Sequence, residues 1–131
     1  MNLKTELVKR LLADTAIKAI VGTQVYRERM PKGAKVPYIV IGKADTTPIM
    51  DHDGYAYTIA IMEVFAFSDD EDVAHNLAKL VRASLWAWND IMSGFVQSED
   101  DIFEPETSTY CTVANYRISY HEHTTNREVN T

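Results

Sequence analysis

The sequence predicts an α+β fold, a mostly antiparallel sheet with a long helix and an N-terminal helix packed on one face. Three observations predict it. Residues 57–67 are rich in β-branched and aromatic side chains and lack Gly and Pro, as a strand should be. Directly after them, Val73, Leu77, Leu80, Val81, Ser84, Leu85 and Trp88 recur at the spacing of one helix face. At the N-terminus, Leu3, Leu7, Val8, Leu11 and Leu12 form a second helical stripe.

That stripe sets a first helix over residues 3–13. Asp14 or Thr15 can cap a short second helix over residues 16–21, and Gly22 suits the position just past its end. Residues 25–29 read as a short strand, and Pro31 and Gly33 as a loop. Residues 36–42 read as a second strand, with Pro37 at its start where a missing donor is tolerated. Residues 44–56 are polar and read as a long loop, expected to be mobile in a free subunit and ordered on assembly.

The strand over residues 57–67 is apolar on both faces. Ile59, Ile61, Phe65 and Phe67 point one way, and Ala60, Met62, Val64 and Ala66 the other, with only Glu63 interrupting. Such a strand is central and covered on both sides. Helices can cover one face, and a second subunit is a natural cover for the other. Ser68 and Glu71 then form a capping box, with Asp69, Asp70 and Asp72 placed where the helix dipole favours negative charge. Asn89 and Asp90 end the helix. Residues 91–103 contain a strand interrupted by Glu99, Asp100 and Asp101, residues 104–108 a turn, and residues 109–121 the last strand. The reading is one domain over residues 1–121 and a flexible polar tail over 122–131.

The chain has 131 residues, enough for one core, and a net charge of −6, which argues against a dedicated nucleic-acid binder. Charged residues interrupt every apolar run before membrane-spanning length, and the N-terminus lacks a signal-peptide pattern. The expectation is therefore a cytoplasmic protein, or one that leaves the cell as part of a larger particle. The lone Cys111 allows neither an internal disulfide nor a cysteine-based zinc cluster, and reads as a small buried residue.

No catalytic constellation stands out, and no cofactor motif: the glycines are scattered, without a phosphate-binding loop. Asp51, His52 and Asp53, with Tyr55 close by, can suggest a metal or a base–carboxylate pair, but beside Gly54 they read as a solvated turn. His121 and His123 sit on one side of a strand end, a geometry that can hold a metal, though no third ligand is implied. Arg27, Arg29, Lys32, Lys35 and Lys43 make a locally basic segment, better suited to an acidic protein neighbour than to phosphate. Trp86 lies on the otherwise polar helix face, where an interface would explain it.

Several segments, in this order, carry a family resemblance. They are residues 12–26, from Leu12 through Gly22 to Tyr26; Pro31 with residues 36–40; residues 64–68 followed by the helix over 74–85; and Phe103 to Tyr110 with residues 116–120. The chain resembles the phage tail-completion family, the tail terminator or tail-to-head joining proteins of long-tailed bacteriophages and prophages. The resemblance implies a homo-oligomer, a hexameric ring that caps the finished tail tube, ends its growth and meets the head–tail connector protein. It implies a place in the virion, at the head-proximal end of the tail. It carries over no catalytic residues. DNA would pass through such a ring without specific binding, and acids such as Asp51 and Asp53 would give the lumen net negative charge. The alternatives are a head-side adaptor or stopper protein of the same joint, a small metal-dependent enzyme using His52, His121 and His123, and a small-ligand or peptide-binding domain.

Overall fold

A computed structural model describes residues 2–121. They form helices α1 (Leu3–Ala13), α2 (Thr15–Val21) and α3 (Glu71–Trp86), and strands β1 (Val25–Arg27), β2 (Tyr38–Asp51), β3 (Gly54–Ser68), β4 (Ser93–Glu104) and β5 (Thr109–Tyr120). The strands make one sheet in the order β1-β2-β3-β5-β4, antiparallel except for β1 with β2. The helices lie on one face, so the fold is the α+β arrangement that the sequence predicts. The expected tail over 122–131, and His123 with it, lies outside the described residues.

Each helix starts on a side chain that satisfies its free N–H groups. Asn2 Oδ1 accepts from Thr5 N, and Asp14 Oδ1 from Ala16 N and Ile17 N. For α3 the expected Ser68–Glu71 capping box is replaced by Asp70, whose Oδ1 accepts from Asp72 N at 2.8 Å and Val73 N at 3.4 Å. The reason is that Ser68 still belongs to β3, paired with Tyr110, and the chain must leave the ladder before it can turn. Ser68 Oγ instead accepts from Asp70 N.

The core lies between the helices and one sheet face. Leu7, Leu11, Ile17, Ile39, Ile41, Met62, Leu77, Leu85, Tyr116 and Ile118 are all 0 % exposed. Ala74 and Ala78 are buried on α3, and their small side chains let the helix approach the strands. This turns the helix so that Leu80, expected deep in the core, is only partly buried against it.

Two elements depart from the sequence reading. β1 ends at Arg27, two residues early, because Glu28 takes φ 69° and donates its N–H to Ile41 O. The link from β1 to β2 is a parallel crossover, held by Gln24 Nε2, which donates to Lys35 O and Pro37 O. Residues 44–56 are not a loop. They are the outer half of β2, the turn and the start of β3, paired from Ala44↔Met62 to Asp51↔Gly54. Because β5 joins β3 only from Thr58, residues 54–57 pair with β2 alone, and the two strands project past the sheet as an arm. In the stretch of β2 that leads to the arm, Asp45, Thr46, Thr47 and Pro48 are all exposed, which removes the alternation that marks a half-buried strand.

Candidate functional site

The helices cover one face of the sheet and leave the other bare. Alternation along β3 sends Ala60, Met62, Val64 and Ala66 into the core and Ile59, Ile61, Phe65 and Phe67 to the bare face, where they stay half-buried. Cross-strand neighbours extend this surface. Tyr38 lies opposite Phe67, Val40 opposite Phe65, and Cys111 and Val113 follow on β5. The rings of Tyr26, Tyr38, Phe67 and Phe65 form a chain, with successive centroids 6.0, 5.0 and 6.1 Å apart. A recess of about 300 Å³ lies over Tyr38, Val40, Phe65 and Phe67, rimmed by Arg29, Met30 and Glu104.

The electrostatics of this face are those of a dry surface rather than a reactive one. Burial, then the nearby Glu104 and Asp101, push the Cys111 thiol up to about 12, so at neutral pH it is a protonated, unreactive group. Burial also raises the Tyr38 phenol, with Glu104 adding to the effect. Cys111 is therefore the buried, inert residue that its strand position predicts.

The residues singled out in the sequence fall in four separate places. Arg27, Arg29, Lys32 and Lys35 line the β1 edge and the crossover beyond it, all exposed. Arg27 Nη1 donates to Thr5 Oγ1 at 2.9 Å, whereas Arg29, Lys32 and Lys35 make no salt bridge among the described residues. The Lys4 ammonium bonded to Glu28, with the two neighbouring arginines, holds that carboxyl below the usual range. Beside these cations a groove of about 660 Å³ runs between α1 and the crossover, walled by Val8, Val25, Met30 and Pro31. Asp51, His52 and Asp53 form the arm's tip, where Asp51 Oδ1 accepts from Asp53 N and Gly54 has φ 112°. Tyr55, just inside the tip, shares a 2.7 Å hydrogen bond with the Thr58 hydroxyl. Trp86 is 75 % exposed on the outer side of α3. His121 sits at the base of the arm, its Nδ1 2.9 Å from Ala56 O.

The sequence reading missed the acids of β4. Glu99 and Asp101 are part of a continuous edge strand and face the helix layer, where Glu99 meets Arg82, and Asp101 meets His75 and the Thr112 hydroxyl. Their i, i+2 spacing was the one available signal. Among the described residues no three His, Cys, Asp or Glu side chains are grouped to hold a metal, and no helix is long and apolar enough to cross a membrane.

Comparison with known proteins assigns this arrangement. In structure, the chain is similar to a chain from the "Virion of native gene transfer agent (GTA) particle", with a TM-score of 0.76 and 18% sequence identity over 89% of this chain and 92% of that one. No match is found among curated proteins. The family model for "Tail completion protein gp17" matches residues 5–121, from α1 through the end of β5. The chain belongs to the tail completion protein gp17 family, and its role is that of a structural protein of tail assembly.

Proposed function

We propose that the protein caps the phage tail tube as a hexameric ring, ends tube growth and joins the tail to the head connector. It acts at the head-proximal end of the tail in the virion and is assembled in the host cytoplasm. The reading is non-enzymatic. The observation that carries the assembly reading is the bare sheet face. Side chains of β2, β3 and β5 from Tyr38 and Val40 through Phe65 and Phe67 to Cys111 and Val113 form an apolar cluster there that no helix covers. The polar Glu63, Asn115 and Arg117 set it apart from Ile59 and Ile61, and such a cluster suits a protein interface. The family match supplies the tail, and the arm supplies a part able to reach beyond the subunit.

In this reading the arm's tip, with Asp51, His52, Asp53 and Tyr55, lies toward the passage for DNA. Its acids would keep the lumen negative and prevent phosphate contacts from holding the genome. Trp86 serves as a contact residue for the tube or the connector. Electron microscopy of the purified protein, alone and with tail tubes, tests the ring. Rings seated at one end of each tube are expected. Tubes of normal length in a phage lacking the protein would rule the capping role out.

The runner-up, a head-side adaptor or stopper, would give rings bound to the connector and none on tubes. The metal-dependent alternative is tested by replacing His52, His121 and His123 together with Ala. Assembly should be unchanged, and loss of a stoichiometric metal together with function would revive that alternative.

A further inference from the structure

We infer that neighbouring subunits of the ring join head to tail, the acidic edge strand β4 of one copy docking on the basic β1 edge of the next. The inference rests on the ring reading above and names the surfaces that close it.

The two edges of the sheet differ in sign. On the β1 side lie Arg27, Arg29, Lys32 and Lys35, and on the β4 side Asp100 and Glu106, all exposed, while Glu104 at the end of β4 rims the same recess as Arg29 within one subunit. Arg29, Lys32 and Lys35 make no salt bridge among the described residues, and neither do Asp100, Glu104 and Glu106. Charges that merely guard an edge against aggregation need no such division. A twofold contact of β4 with β4 would set acid against acid, and one of β1 with β1 would set base against base. A head-to-tail contact sets opposite signs together, and repeated around an axis it closes a ring.

The register places the two edges at one height. The cross-strand row Tyr26–Val40–Phe65–Val113–Asp100 begins on one edge and ends on the other, as does the row Arg27–Ile41–Val64–Ala114–Glu99. A copy displaced sideways across the strands thus brings Asp100 level with Tyr26 and its flanking cations. Strand directions also agree. Counting across the sheet, β4 runs opposite to β1, so the two would meet antiparallel.

Shape follows charge. On the β4 side Ile102 is 47 % exposed on the same strand face as Asp100, while Phe103, 48 % exposed, turns to the helix side against Tyr110. On the β1 side the groove walled by Val8, Val25, Met30 and Pro31 opens beside Lys9, Arg27 and Arg29. Ile102 beside Asp100 thus meets an apolar groove beside bases, with Arg27 already positioned by Thr5. Such pairing fixes the register of an interface and rejects the symmetric alternatives.

The test is charge reversal read by sedimentation and light scattering, with tail tubes added where the free protein does not assemble. One variant carries Arg29→Glu, Lys32→Glu and Lys35→Glu. The other carries Asp100→Lys and Glu106→Lys. Near-UV circular dichroism checks that each is folded. Each variant alone should bind its own copies about a hundredfold more weakly than wild type. An equimolar mixture should recover rings in which the two variants alternate. If both variants assemble like wild type, or if folded variants fail to recover on mixing, the edge assignment is overturned while the ring stands. A wild-type protein that forms no ring even on tubes overturns the ring reading and this inference with it.

Discussion

Arg82 Nη1 donates to Glu99 Oε2 at 2.8 Å, tying the solvent side of α3 to the edge strand β4. Farther along the strand, Asp101 Oδ1 lies 3.3 Å from His75 Nε2 and accepts from Thr112 Oγ1 at 3.0 Å. The acids of β4 thus divide by face. Glu99 and Asp101 hold the helix, and Asp100 between them faces away. Arg82→Ala should cost only about 0.2–1 kcal/mol, because the pair is part-exposed and screened. Thr112 is 2 % exposed, and its loss removes a donor to a carboxylate, so Thr112→Val should cost more, about 1–3 kcal/mol. Urea melts of the two variants should show that order, and the reverse order would mean that Asp101 does not depend on Thr112.

The α3 face is tested by two leucines. Leu77 is fully enclosed, whereas Leu80 is partly open. Leu77→Ala should lose about 2–5 kcal/mol as a cavity mutation, and Leu80→Ala clearly less. Equal losses in denaturant melts would contradict the orientation of α3.

The start of the same helix depends on Asp70 rather than on Ser68 and Glu71. Asp70→Ala should cost about 0.5–2 kcal/mol, while Glu71→Ala, with no capping contact, should be near neutral. Thermal unfolding separates the two, and a larger loss for Glu71→Ala would restore the capping box.

Cys111 provides a chemical probe. With its thiol pushed up to about 12, it remains protonated at pH 8, where an ordinary thiol is partly ionised. Iodoacetamide should label it at least about a hundredfold faster in denaturant than in the folded protein. Comparable rates would show that Cys111 is not enclosed by its neighbours on β3 and β4.

At the tip of the arm, Gly54 holds φ 112°, a conformation that a side chain resists. Gly54→Ala should lower stability by about 1 kcal/mol or more. Amide exchange should speed up at the tip while Leu77 and Leu85 keep their protection. An unchanged tip would show that the turn relaxes elsewhere.

The parts of the fold legible in the sequence are those that bury one face. Helix α1 and the face of α3 follow from periodicity, because periodicity records burial, and the central part of β3 follows from its run of β-branched and aromatic residues. The arm was illegible for the same reason. In the part of β2 that leads to it, Asp45, Thr46 and Thr47 all meet solvent, so ladder hydrogen bonds fix the strand without leaving a pattern of apolar residues. Pro48 reads as a breaker, but β1 pairs with β2 only as far as Ile41, so at Pro48 the strand has a free edge. The one usable cue was the Asp53-Gly54 pair, a hairpin-turn dipeptide. β4 misled likewise: Glu99, Asp100 and Asp101 look like an interruption, yet an edge strand tolerates charge on both faces. Of the candidate surfaces, the two-faced character of β3 was readable, and the opposite signs of the two sheet edges were not. That contrast depends on strand order, and nothing local encodes the placing of β5 between β3 and β4.

That strand order also governs when the subunit becomes able to assemble. The hairpins β2–β3 and β4–β5 join neighbours along the chain, while β3 and β5 pair residues 58–68 with residues 110–120 and must close the long intervening loop of chain. Until that closure β4 is joined to the rest of the sheet by nothing, and neither the row from Tyr26 to Asp100 nor the broad apolar face exists. Under the ring reading, a chain still folding offers its neighbours no β4 edge tied to the rest of the sheet until β3 and β5 have paired.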